Sequence, residues 1–254
     1  MRDLGTLPGG TGSRASAINE RGQVVGSSST KAADHHAFLW WNERMRDLGT
    51  LTGGTESSAW EINERGQIVG GADTGATDEE GMSIWHAVLW QSGRLRDLGT
   101  LGGPESSTVA INTRGQVVGW ADTTVKDEEG LPIRHAFLWQ NGTMTDLGRV
   151  ALLDSEAVDL SNRGQVVGYS YDDTASHAFL WQHGKTIKLG TLGGPGSEPQ
   201  ALNEHGQVIG NADTTARCEN GAPISHAFLW QHGKMTDLGT LGGPGAGPCD
   251  QRAH

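Results

Sequence analysis

The stretch "INERGQVVG" at 18–26 decides the fold, because the chain writes it five times. It returns at 62–70 as "INERGQIVG", at 111–119 as "INTRGQVVG", at 160–168 as "LSNRGQVVG" and at 202–210 as "LNEHGQVIG". Each copy is followed by "HAFLW" (36–40, 135–139, 177–181, 226–230, and "HAVLW" at 86–90). A segment like "DLGTLGG" then begins at 47, 97, 146, 188 (as "KLGTLGG") and 237. The unit is roughly 40–50 residues long, the length of one four-stranded propeller blade.

Four strands can be read in each unit: A ending in "AIN", B as "QVVG", C as "HAFLW" and D as "MRDLGTL". The A–B joint is an Asn-x-x-Gly turn and the C–D joint a short "QNGT"-like or "QHGK"-like loop, so glycine stands where tight turns need positive φ. Side chains alternate along a strand, which puts His, Phe and Trp of strand C on one face and Ala and Leu on the other. A blade between two neighbours buries both faces. The expected fold is all-β, a five-bladed β-propeller of four-stranded antiparallel blades; a fragment of a larger propeller would leave the same signature. The reading treats 1–254 as a single domain with repeats at about 8–51, 52–101, 102–150, 151–192 and 193–241, an extra strand at 1–7 and a tail at 242–254. Either the copy at 1–7 or the one at 237–241 completes the last blade, and the other is surplus.

Composition agrees with many short strands: 39 glycines, 9 tryptophans against 4 phenylalanines and 2 tyrosines, and 35% hydrophobic residues. The net charge of −11, with no basic cluster, speaks against a nucleic-acid groove or an anionic membrane surface. No apolar run is long enough for a membrane span, and no signal peptide is read ahead of the first repeat, which leaves a cytoplasmic location open.

The order HAFLW, DLGTLGG, INxxGQVVG resembles the bacterial HAF-repeat family of probable extracellular repeat proteins over nearly the whole chain. The resemblance implies a secreted or envelope location in a bacterium and carries no settled activity or catalytic residues.

The repeated residues read as structural. His36, His86, His135, His177 and His226 sit once per blade, too far apart to share one metal ion, and are expected to be hydrogen-bonding groups within their blades. The matching tryptophans are expected in the core. The aspartates of "DLG" are expected as turn or strand-edge partners, with Lys188 in place of one of them.

Function is sought where the copies differ. The B–C connections are long in units 2, 3 and 5, and they share one face with the D–A loops. Two carry "DEEG", an acidic wall of Asp78, Glu79, Glu80, Asp127, Glu128 and Glu129. Clustered carboxylates can take calcium, but the spacing matches no known loop, and a solvated hairpin is the plainer reading. No metal or other cofactor is assigned. On strand A, Glu61 and Asp159 replace alanine, and they would form an acid/base pair only if the protein is an enzyme, a glycan-active hydrolase or lyase or an isomerase. Aromatic and polar breaks in the repeat supply a ligand-binding set: Trp60, Trp85, Trp120, Tyr169, Tyr171, Asn211, Arg134 and Arg217. The leading expectation is a repeat propeller that binds a small molecule, a glycan or a protein on the B–C/D–A face; oligomeric state is not legible. Cys218 and Cys249 could form one disulfide, closing a loop of about 30 residues worth roughly 3 kcal/mol.

Overall fold

The computed structural model describes residues 3–32, 34–148, 154–172 and 174–241. All of the regular structure in these residues is strand. Blade 1 consists of β1 (Ser13–Ile18), β2 (Val24–Ser29), β3 (His35–Trp41) and β4 (Arg44–Asp47). Blade 2 holds β5 (Ser57–Ile62), β6 (Ile68–Thr77), β7 (Ser83–Gln91) and β8 (Arg94–Asp97). Blade 3 holds β9 (Gly102–Ile111), β10 (Val117–Lys126), β11 (Pro132–Gln140) and β12 (Thr143–Asp146). Blade 4 holds β13 (Ser155–Leu160), β14 (Val166–Tyr171), β15 (Ser176–Gln182) and β16 (Lys185–Lys188). Blade 5 holds β17 (Gly193–Leu202), β18 (Val208–Arg217), β19 (Pro223–Gln231) and β20 (Lys234–Asp237). Each is a four-stranded antiparallel meander in A–B–C–D order. The strand at 234–237 completes blade 5, whereas residues 3–7 form no strand.

The turns follow from local chemistry. Asn19 Oδ1 accepts the amides of Arg21 and Gln23, and Gly22 enters the left-handed region at φ 72° to close the A–B turn. The last glycine of "QVVG" has a different reason. A Cβ at Gly119 would collide with the Ser107 carbonyl of the neighbouring strand, because strand A carries a bulge there. That bulge recurs in every blade, and its extra residue is Ser16, Trp60, Val109, Val158 or Gln200. Bulges re-aim side chains. Trp60, one of the breaks in the repeat, therefore stands in a column of bulge residues.

The chain divides into two compact units, Met1–Ile133 with Phe137–Thr145, and Arg134–Ala136 with Asp146–His254. Within the first, Val25 and Ala37 of blade 1 pack on Ala59, Ile62, Ile68, Val88 and Trp90 of blade 2. Val69, Ala87, Leu89 and Leu98 of blade 2 pack in the same way on Val117, Phe137 and Trp139 of blade 3. Within the second, Val167, Ala178, Leu180 and Leu189 of blade 4 pack on Val208, Phe228 and Trp230 of blade 5. The Ala/Leu face of one blade thus seats the Phe/Trp face of the next. Trp90, Trp139 and Trp230 are buried; Trp40 and Trp181 are half-buried, so the core reading of the tryptophans is only partly met. The A strands of adjacent blades lie against one another within each unit.

A serine near the start of strand A reinforces the seam. Ser106 Oγ accepts the Ala87 amide of the preceding blade (2.9 Å) and donates to the Gly99 carbonyl (2.7 Å). Ser57 does the same for Ala37 and Gly49. The repeated histidine is a partner within its own blade: Nδ1 meets the "DLG" aspartate in His36–Asp47, His86–Asp97, His135–Asp146 and His226–Asp237, at 2.8–2.9 Å. Blade 4 has Lys188 in that place, and His177 turns instead to Asp172 through Nε2 at 3.0 Å.

Candidate ligand-binding site

The second unit gathers most of the variable residues. Strand register places Glu156 opposite Tyr169 and Glu198 opposite Asn211. Tyr169 donates its hydroxyl to Glu156 Oε2 at 3.0 Å, and its ring lies 6.0 Å from that of Tyr171. Burial, with Glu156 beside it, pushes the Tyr169 phenol well above its usual range. Burial and Asp154 raise Tyr171 too, opposed by the positive charge of Arg134. The Arg134 amide is held by Asp154 Oδ1 at 2.6 Å. Arg134, distant in sequence, thus joins Tyr169 and Tyr171 in one neighbourhood.

Beside it lies a cleft of about 480 Å³ between the Thr174–Ser176 segment of blade 4 and strands β17–β19 of blade 5. Asn211 and Arg217 line it, together with Ser176, Glu198, Asp213 and Ser225. Ser176 Oγ donates to Glu198 Oε1 at 2.9 Å. Asp213 accepts the Gly196 amide and the Ser225 hydroxyl, which sets the wall. Arg217 uses one donor on the Gly221 carbonyl, at 2.7 Å. A guanidinium carries five donors, so the residue can serve a ligand as well. The cleft opens at the B–C/D–A end of the blades. Glu156 and Glu198 were missed in the sequence, although they break a column that otherwise reads Arg14, Ser58 and Ser107.

In the first unit, Trp60 and Trp85 converge above Gly71. A Cβ at that glycine would lie 2.8 Å from the Trp60 ring and 3.2 Å from the Trp85 ring. Trp120 holds the Gly71 position in blade 3, opposite Ser107, and is half-buried.

The two strand-A acids differ in setting. Glu61 is exposed on β5 opposite Val69. Asp159 accepts the Leu160 amide (2.7 Å) with one oxygen and the Leu202 amide of blade 5 (2.8 Å) with the other. In blades 1 and 2 the link to the next blade comes from asparagine: Asn19 Nδ2 donates to the Asn63 carbonyl, and Asn63 Nδ2 to that of Asn112. Blade 4 has Ser161 in that column, and Asp159 supplies a link there.

The "DEEG" segments are hairpin tips. Asp78 Oδ1 accepts the amides of Glu80 and Met82, and Asp127 Oδ1 that of Leu131. Among the described residues no group of three or more His, Cys, Asp or Glu is placed to hold a metal ion. No helix there is long and apolar enough to cross a membrane. Cys218 is disulfide-bonded; Cys249, the chain's other cysteine, lies outside the described residues.

No family model matches the chain, and no curated protein matches it in sequence. Among solved structures it is similar to the β-propeller domain of the Trilobed protease from Pyrococcus furiosus, described as having an open velcro topology. The TM-score is 0.57 at 10% identity, covering 92% of this chain and 71% of that one. A mutant of AofleA from Arthrobotrys oligospora is similar at a TM-score of 0.40 and 10% identity, over 92% of this chain and 73% of that chain. The first likeness and the five four-stranded sheets together define the class: an all-β protein with the β-propeller fold.

Proposed function

We propose that this propeller is an extracellular binding protein whose blade 4–blade 5 cleft takes a polyhydroxylated ligand, a glycan or a related small molecule. The carrying observation is the cleft wall: hydroxyls, carboxylates, an amide and a guanidinium stand beside the apolar atoms of Ala175, Pro195 and Pro223. Such a wall returns to a polyol the hydrogen bonds it gives up in leaving water. The disulfide at Cys218 and the resemblance to HAF repeats support an oxidising, extracellular location. The enzyme reading is weaker, because an acid/base carboxyl must reach its substrate and both oxygens of Asp159 already accept amides.

A glycan array probed with the labelled protein tests the reading. The parent is expected to retain one or more glycans. Asn211→Ala and Arg217→Ala should each weaken binding by about tenfold, the order of one lost hydrogen bond to a charged or buried group, with unchanged melting. Retention of no glycan, or equal retention by parent and both variants, refutes it.

A further inference from the structure

The hydroxyls of the blade 4–blade 5 cleft turn their protons into its own wall. Thr174 Oγ1 donates to Asp172 Oδ1 at 2.6 Å, Ser176 Oγ to Glu198 Oε1 at 2.9 Å, and Ser225 Oγ to Asp213 Oδ1. In the aromatic neighbourhood beside the cleft, Tyr169 donates in the same way to Glu156 Oε2 at 3.0 Å. An ionised carboxylate only accepts, so the hydroxyl is the donor in each pair. What these four hydroxyls have left for a ligand is lone pairs. Glu156 and Glu198 each give one oxygen to such a bond, and a carboxylate has about four acceptor positions, so both add to the same surplus of acceptors.

Charge runs in the same direction. Asp154, beside Tyr171, adds a fifth carboxylate, against the two guanidinium groups of Arg134 and Arg217. Glu156 and Glu198 occupy one column of blades 4 and 5, and both act on the Tyr169 phenol. The Tyr169 and Tyr171 rings, tilted 37° to each other and half-buried, add π faces, which attract cations. A ligand carboxylate or sulfate, negative and acceptor-only, would meet lone pairs and like charge here. An ammonium, with three donors and no acceptor, matches both features.

We infer that the cleft takes an amino sugar with a free amine, and that Glu198 is the residue that selects it. This rests on the polyol reading of the cleft and narrows it to a cationic class. Asn211 and Arg217 supply donors to the hydroxyl oxygens of the sugar, and Glu198 accepts from its ammonium. The other two acids of the wall are already engaged at both oxygens. Asp213 holds the Gly196 amide and Ser225, and Asp172 holds Thr174, the Ala175 amide and His177. N-acetylation of the same sugar removes the charge and puts a carbonyl acceptor where the ammonium stood, so the two forms of one sugar separate the alternatives.

The test is an array of glucosamine and galactosamine oligomers, each beside its N-acetylated and its neutral hydroxyl counterpart, together with uronate oligomers. It is probed with the labelled full chain at physiological salt. The free-amine oligomers should be held about tenfold more tightly than their counterparts, the order of one hydrogen bond to a charged group. Glu198→Gln, at an exposed position and able to keep the Ser176 bond, should lose that preference. Glu128→Gln makes the same change of charge on the blade 3 hairpin and should behave as the parent does. Tighter retention of neutral, N-acetylated or uronate oligomers overturns the inference and leaves the polyol reading standing. So does a preference that Glu198→Gln keeps, or one that both variants lose alike, which is the mark of a general attraction of polycations to an acidic chain. Retention of no glycan overturns both readings.

Discussion

Ser106→Ala and Ser13→Ala make the same chemical change at the same column of the repeat, yet they should differ sharply. Ser106 is 2% exposed, and its hydroxyl serves both the Ala87 amide and the Gly99 carbonyl. Truncation strands a buried donor and takes the donor from a carbonyl, at about 1–3 kcal/mol for a buried group left unsatisfied. A total of about 3 kcal/mol follows, with only a small void to add. For a chain of this size that corresponds to a fall in Tm of about 6–12 °C. Ser13 is exposed and makes one hydrogen bond, to Gly5, whose loss water makes good; about 0.5 kcal/mol or less is expected. Urea unfolding of dilute protein, followed by tryptophan fluorescence and thermal melting, measures both. Equal costs at the two positions, or a Ser106→Ala cost within about 0.5 kcal/mol of zero, would refute the serine as a seam between blades.

Ser170 Oγ is a buried hydroxyl without a partner, in a column that holds alanine at 72, 121 and 212. Ser170→Ala should therefore raise stability by about 1 kcal/mol in the same assay, and a loss would show that the hydroxyl is satisfied. His86 is raised above its usual pKa, chiefly by its hydrogen bond to Asp97 and against the opposing effect of burial. Its contribution to stability is complete below about pH 6.5 and is lost as pH climbs through the raised value. Urea midpoints should fall across that window in the parent and fall less in His86→Gln. Asp237 is held low by hydrogen bonds from His226 and the Gly239 amide, so its contribution is complete above the ordinary carboxylate range and disappears as acid reaches its lowered value. Asp237→Asn should flatten the acid limb of the same profile. Both tyrosines of the chain are raised, so tyrosinate absorbance should appear at higher pH in the native protein than in urea, where it is expected near pH 10. Coincident titrations would mean that the Tyr169–Glu156 contact does not hold in solution.

The sequence by itself determined the blade. Repeat period, turn glycines and strand alternation are local or periodic properties, and they set strand count, order, facing and the site of each tight turn, because backbone sterics and burial act identically on every copy. The pairing of histidine with the "DLG" aspartate was half legible: both were assigned to hydrogen bonding within the blade, but their contact across strands C and D depends on register. Tertiary structure decided what the exceptions do. Lys188 sends His177 to Asp172, and Asp159, which as a bare substitution for alanine reads equally as a catalytic acid, accepts an amide from the next blade. The bulge in strand A, which gives Trp60 its turn away from the ladder, is invisible in a list of residues because it exists only as an offset between two strands. The cleft shared by blades 4 and 5 is of the same kind. Asn211 and Arg217 were legible as breaks in the pattern, but Glu198 and Ser176 meet only when two blades stack, a proximity that no spacing along the chain encodes.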